Sequence, residues 1–231
     1  MTFSSPIKTI AVFLVTVVLV SCTSNDRSFS PSIIEIVDGR SVISKEEMIR
    51  YAEECRIDKN SLYNWENRWV LYLDENRLDE VKSGLEDRFK GLEIKVFAKP
   101  FYHFGREKNC NKKSAAQWSH TIMTANLIAD TQLQDEYMEY HRLQFEEWPE
   151  VSNGFCNALF QQVLLFRDGR QLMLVISIPA GENLDELNPK TTENNPRVDE
   201  WNSIMAGYQE GIENAPEGVV WIELKQVKSG K

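Results

Sequence analysis

The constraint that most narrows the fold is the order of apolar runs in the second half of this 231-residue chain. Trp118 to Ala129 is β-type throughout. Leu133, Tyr137, Tyr140 and Gln144 then recur at helical spacing in a segment from about Thr131 to Phe145. Gln161 to Phe166 and Leu172 to Ile178 are short apolar runs separated by Arg167-Asp168-Gly169-Arg170. Asp-Gly between apolar strands predicts a tight hairpin. Asn195 followed by Pro196 predicts the N-cap and first position of another helix, and Val198, Trp201, Met205, Tyr208 and Ile212 form its apolar stripe. Val219 to Val227 reads as the last strand. The order is β-α-β-β-α-β. Both helices must cover one face of a four-stranded antiparallel sheet, and the other face stays apolar and needs a partner.

That connectivity is the ferredoxin-like split unit, and such sheets pair face to face into a dimeric α+β barrel. The first half offers a partner within the chain. Ser32–Val37 reads as a strand. Ser44 caps a helix with Glu46 and Glu47 in its first turn, running to about Cys55. Trp69–Leu73 is a strand. Leu78, Val81, Leu85 and Phe89 mark a second helix closed by Gly91. Leu92–Phe104 reads as one more strand, and Arg106–Ser114 as a polar loop. The expected fold is α+β: a ferredoxin-like C-terminal domain, 115–231, preceded by a smaller, partial α/β module, 33–114. The oligomer is either a homodimer or an intrachain pseudo-dimer in which the first module covers part of the second module's sheet.

The N-terminus sets the expected compartment. Lys8 is the only charge before the apolar run Ile10–Val20, which is shorter than the roughly 20 residues of a spanning helix. Leu19-Val20-Ser21-Cys22 resembles the lipobox of bacterial lipoproteins. The resemblance implies a signal peptide over 1–21, lipidation of Cys22, and a membrane-anchored protein outside the cytoplasm. Thr23 after the cysteine favours the outer membrane. Residues 22–32 read as a flexible tether. An ordinary signal peptide cut nearby is the alternative.

Formal net charge is −9, and loss of residues 1–21 removes only Lys8, leaving −10. An acidic chain with scattered Lys and Arg argues against a nucleic-acid partner. Cys55, Cys110 and Cys156 are an odd set in an oxidising space, so at least one thiol is unpaired. There is no Cys-x-x-Cys, and no His lies near a Cys at zinc spacing, so no metal site is expected.

The candidate site centres on Glu136-Tyr137-Met138-Glu139-Tyr140-His141 and on Trp148-Pro149-Glu150-Val151. Tyr137 and His141 are four apart, hence on one helix face, and that face is the half-buried one. An inward imidazole beside a phenol can exchange protons near neutral pH. The simpler alternative is a core histidine satisfied by a backbone carbonyl. Trp148-Pro149 ends the helix, since proline disfavours helix at the preceding residue.

Tyr137-x-x-x-His141, Trp148-Pro149-Glu150, the Asp168-Gly169 hairpin, Asn195-Pro196-Arg197-Val198-x-x-Trp201-x-x-x-Met205 and a Trp-containing last strand together resemble the L-rhamnose mutarotase family over roughly 118–228. The resemblance implies a racemase/epimerase-type isomerase that interconverts the α and β anomers of L-rhamnose or a related 6-deoxy sugar. It implies His141 as proton donor, Tyr137 as a sugar contact and Trp201 as a packing surface for the sugar. Asn202 stands where the bacterial type has a second tryptophan, Val163 where it has a tyrosine, and the gap from His141 to Trp148 is longer.

Mutarotation opens a cyclic hemiacetal and recloses it on the other face, so one group protonates the ring oxygen while another accepts the anomeric proton. Histidine suits this, with Tyr137, the carboxylate of Glu150 or water as its acid/base partner. No cofactor is required. Trp201 and Trp148 suit the apolar face of a deoxy-sugar, although Trp201 also fits a core position and Trp148 a turn plug. The acidic loop Glu182–Glu193 reads as solvated, or as a lid. Two other classes fit the same fold: a haem-dependent or cofactor-free oxygenase, and a non-catalytic lipoprotein that binds sugar or a partner.

Overall fold

The computed structural model describes residues 29–228, so the expected signal peptide over 1–21 and the expected lipidation site Cys22 lie outside the described residues. One curled, ten-stranded antiparallel sheet runs through both halves. The first half contains β1 (Pro31–Val37), α1 (Lys45–Glu54), β2 (Leu62–Trp65), β3 (Arg68–Asp74), α2 (Leu78–Arg88) and β4 (Glu93–Phe97). The second half adds β5 (Tyr102–Gly105), α3 (Arg106–Cys110), β6 (Trp118–Leu127), α4 (Thr131–Glu147) and α5 (Pro149–Asn157). It continues with β7 (Gln162–Asp168), β8 (Gln171–Pro179), α6 (Leu184–Leu187), α7 (Pro196–Ala206), β9 (Gln209–Glu210) and β10 (Ile222–Gln226). The strand order is β4-β1-β3-β2-β10-β6-β8-β7-β5, with β9 paired to β6.

The first half is therefore not a partial module. It runs β-α-β-β-α-β with its strands ordered fourth, first, third, second, and β6, β7, β8 and β10 repeat that order. The hairpin β2–β3 turns at Glu66-Asn67 with Glu66 at φ 47°, and no Gly or Pro marks it. The halves join edge to edge where β10 pairs β2, Lys225 opposite Asn64 and Gln226 opposite Tyr63. At the far side β4 comes back against β7.

Several boundaries differ from the expectation. Leu92–Phe104 is not one strand: β4 pairs β1, whereas β5 pairs β7 in the other half. Pro100 sits in the break, where a residue without an N–H cannot continue a ladder. The expected loop 106–114 begins as α3, and Cys110 is disulfide-bonded to Cys156 of α5, leaving Cys55 free. Trp148 does end α4, but Pro149 opens α5 at its first position, where a missing N–H costs nothing. Asn195 does not cap α7 through its side chain, which donates instead to the Glu150 carbonyl. The stripe on α7 ends at Met205, because the helix stops at Ala206. The last strand is shorter, beginning at Ile222.

Strand alternation sends neighbouring side chains to opposite faces. Ile34, Ile36, Trp69, Leu71 and Leu73 pack outward against Met48 and Tyr51 of α1 and Val81 and Leu85 of α2. Their neighbours Ile33, Val70, Tyr72 and Phe97 point inward, where they meet Ile122, Leu164, Phe166, Met173, Val175 and Leu224 of the other half. One end of this shared interior is polar. Fully buried Glu35 pairs with Arg68 at 2.9 Å and accepts from Gln171 Nε2 at 2.8 Å. Gln171 also donates to Thr124 and accepts from Lys95 Nζ. Strands of both halves thus share one hydrogen-bonded carboxylate. Among the described residues no helix is long and apolar enough to cross a membrane.

Glu35→Gln keeps the volume and leaves the buried Arg68 guanidinium without a counter-charge. Loss of one partner of a buried pair costs about 3–5 kcal/mol. Urea unfolding is expected to show a loss of that order, with both halves melting in one transition.

Candidate active site

The site lies on the outer face of the second half, between the sheet and helices α4, α5 and α7. Asp130 caps α4 by accepting from the backbone N–H groups of Gln132 and Leu133. From there Gln134, Tyr137, His141 and Gln144 form the buried stripe, at spacings of three and four. Leu165, Leu174, Ile176 and Val163 form the floor of a cavity of about 510 Å³. Its walls are Tyr137, His141, Val151, Phe155, Val198 and Trp201, with Gln209 and Trp221 at one side.

His141 is 7 % exposed and packed among rings, with centroids 4.3 Å from Tyr137, 5.3 Å from Trp201 and 5.3 Å from Tyr102. Its Nδ1 lies 2.9 Å from the Tyr137 carbonyl oxygen. A carbonyl only accepts, so Nδ1 carries the hydrogen and Nε2 has the lone pair. Burial pushes the imidazole down to about 4, with the carbonyl contact opposing the shift. At neutral pH the ring is uncharged. Nδ1 is thus satisfied by a backbone carbonyl, the simpler of the two expectations, while the residue also lines the cavity.

Tyr137 is 1 % exposed, and burial raises its phenol well above the usual range, so it stays protonated. Gln209 Nε2 donates to the Tyr137 hydroxyl at 3.3 Å, and Trp221 Nε1 donates to Gln209 Oε1 at 2.9 Å. This relay fixes the Gln209 amide and leaves the phenol hydrogen free to point elsewhere. The Tyr102 hydroxyl, by contrast, is spent on Gln144 Oε1 at 2.6 Å. Nothing in the sequence singled out Gln209, a lone glutamine just past a helix end.

Of the expected site residues, His141, Tyr137 and Trp201 line one cavity; Trp148 and Glu150 do not. Trp148 packs edge-on against Trp201 at 5.6 Å, and the Arg197 guanidinium covers its ring at 3.8 Å. Glu150, in the first turn of α5, faces a separate polar depression with Asn153, Asn157 and Lys190. Val163 and Asn202 both line the cavity. In the acidic segment Glu182, Asp185, Glu186 and Glu193 are exposed, as the solvated reading expects, but the segment is also part of the cavity wall. Residues Asn188–Thr191 form a 3₁₀ turn whose Asn188, Pro189 and Thr191 wall the cavity. A Cβ on Gly154 would collide with the Thr191 carbonyl, so α5 and this turn sit backbone to backbone. Among the described residues no group of three His, Cys, Asp or Glu side chains is gathered at metal-binding distance.

Residues 121–228 match the family model for L-rhamnose mutarotase. A UPF0734 protein of Dictyostelium discoideum is 28 % identical over 109 residues, which is 47 % of this chain and 80 % of that protein. An L-fucose mutarotase of Xanthomonas campestris is 26 % identical over 103 residues, 44 % of this chain and 80 % of its own length. The matched span holds His141, Tyr137, Trp201 and Gln209, and excludes the whole first half. These matches support a sugar mutarotase function, an isomerase-type enzymatic activity.

The lowered His141 value also has a consequence for stability. Between about pH 4 and 6.5 the unfolded chain binds a proton that the folded chain does not, so stability falls as pH drops through that window. At about 1.4 kcal/mol per unit, the loss approaches about 3 kcal/mol. Chemical denaturation of wild type and His141→Asn from pH 7 to 4 is expected to show the extra slope in wild type alone.

Proposed function

We propose that this chain is a mutarotase for a 6-deoxy sugar such as L-rhamnose or L-fucose, with His141 and Tyr137 as its proton-transfer pair. The observation that carries the reading is the buried juxtaposition of a neutral imidazole, bare at Nε2, and a protonated phenol on one cavity wall. His141 Nε2 takes the proton of the anomeric hydroxyl as the bond from the anomeric carbon to the ring oxygen breaks. The ring oxygen takes the Tyr137 proton. The aldehyde carbon then rotates, and reclosure returns each proton to its donor on the opposite face. In the opening step His141 is therefore the base, and it becomes the donor on reclosure. The two transfers are coupled through the sugar, so the imidazolium and phenolate arise together and attract one another. A positioned acid or base contributes roughly 10²–10⁴-fold, which suits a reaction already fairly fast in water.

Trp201 supplies an apolar wall for the C–H face of the sugar. Gln209 holds the Tyr137 hydroxyl from behind. Val163 and Asn202 change the lining relative to the resembled family and set sugar preference. The two halves together act as an intrachain pseudo-dimer: the repeated strand order and shared interior support a ferredoxin-like pair closing one α+β barrel. Export, lipidation at Cys22 and membrane anchoring belong to the same reading, and the Cys110–Cys156 disulfide supports an oxidising compartment.

Proton NMR saturation transfer between anomers of L-rhamnose and L-fucose tests this. Wild type is expected to accelerate exchange of at least one sugar. His141→Ala should return it to the buffer rate, Tyr137→Phe should lower it tenfold or more, and Gln209→Met should lower it less. Wild-type rates should hold from pH 8 to about 5 and fall on approaching pH 4, the sign expected of a base that works unprotonated. Buffer rates with both sugars in wild type would contradict the reading.

A further inference from the structure

The shared interior has a second end, away from the Glu35 network, whose polar groups take no part in the His141 cavity. Tyr72 of β3 and His120 of β6 approach each other there from the two halves, with ring centroids 5.1 Å apart. Tyr72 is 3 % exposed, yet its hydroxyl has no hydrogen-bond partner among the described residues. A buried hydroxyl left unpaired costs about 1–3 kcal/mol. His120 Nδ1 lies 2.8 Å from Ser177 Oγ, so Nε2 is the nitrogen left for another partner. Burial lowers the His120 imidazole and keeps it neutral, and burial raises the Tyr72 phenol and keeps it a donor.

Both side chains line a cavity of about 560 Å³ that opens between the halves. Trp118, Phe29, Gln162 and Asp58 complete the part that matters. The Trp118 indole N–H already donates to the Ala115 carbonyl, so its exposed ring offers only carbon surface. Among the described side chains no Lys or Arg lines the cavity, and the one carboxylate, Asp58, is at its exposed rim.

We propose that this mouth is a second binding site, for a neutral, polyhydroxylated small molecule of the sugar or cyclitol class. A phenol donor beside an imidazole nitrogen, which donates or accepts according to its tautomer, suits neighbouring hydroxyls. The indole and phenyl surfaces suit the C–H face of the same ring. An anion would meet no counter-charge among the described side chains, and a purely apolar ligand would leave the Tyr72 hydroxyl unpaired. The site is independent of the mutarotase reading, since it shares no residue with the His141 cavity.

The test uses the intact protein and three probes that cannot open their rings: methyl α-L-rhamnoside, methyl α-D-glucoside and myo-inositol. Saturation-transfer difference NMR is expected to give saturable binding of at least one at millimolar concentration. Tyr72→Phe and Trp118→Ala should each weaken it fivefold or more, while His141→Ala leaves it unchanged. Tyr72→Phe removes only the unpaired hydroxyl, so the fold is retained, and anomer exchange should match wild type. The proposal is overturned if no probe binds. It is also overturned if binding survives both substitutions, which would leave water as the partner of Tyr72, or if binding is lost only in His141→Ala, which would place the probe in the other cavity.

Discussion

Each half of the sheet is apolar on both faces, and the helices of that half cover only one. Everything else in the architecture answers that constraint. Ile34, Ile36, Leu71 and Leu73 meet helices, while Ile33, Val70, Tyr72 and Phe97 meet the inward residues of the other half. The edge pairing of β2 with β10 and the network around Glu35 make the two sheets one body. Burial of inward apolar side chains gives the association its strength at roughly 25 cal/mol per Å². The Glu35 carboxylate, placed where Arg68 and Gln171 converge, gives it register.

That rigid interior is what allows a cavity on the outer face. Val163 and Leu165 floor the cavity, while their neighbours Leu164 and Phe166 are locked into the interior on the opposite side of the same strand. The disulfide from α3 and the close seating of Gly154 on Thr191 hold α5 as a fixed wall. In that setting one cause acts in opposite directions on two neighbours. Burial lowers His141, a base whose charged form is protonated, and raises Tyr137, an acid whose charged form is deprotonated. The outcome is an uncharged imidazole and a protonated phenol on one cavity wall, their ring centroids 4.3 Å apart, a pairing suited to general acid/base chemistry.

Much of this was legible in the residues. The spacing of Tyr137 and His141 placed both on the buried face of α4, and the stripe on α7 placed Trp201 inward. Asp168-Gly169 marked the hairpin, with Gly169 at φ 57°. Ser44 capped α1 as its side chain implied. What escaped did so for physical reasons. The turn at Glu66 is made by a residue that seldom takes positive φ, so a complete first half read as a partial one. Leu92–Phe104 is β-forming at both ends, and only the partner strands reveal that it serves two different sheet edges. Pro149 both stops α4 and starts α5; that second role swings Glu150 away and leaves Trp148 under Arg197 rather than on the cavity. Gln209 matters only through two hydrogen bonds to residues distant in the chain, which no local pattern encodes.

The account rests on the state of a single ring. Nitrogen-15 NMR of the His141 imidazole at neutral pH measures it directly. The geometry predicts an uncharged ring with the hydrogen on Nδ1 and a pyridine-type Nε2, persisting as pH falls until about 4. An imidazolium at pH 7, or a neutral ring with the hydrogen on Nε2, would contradict it.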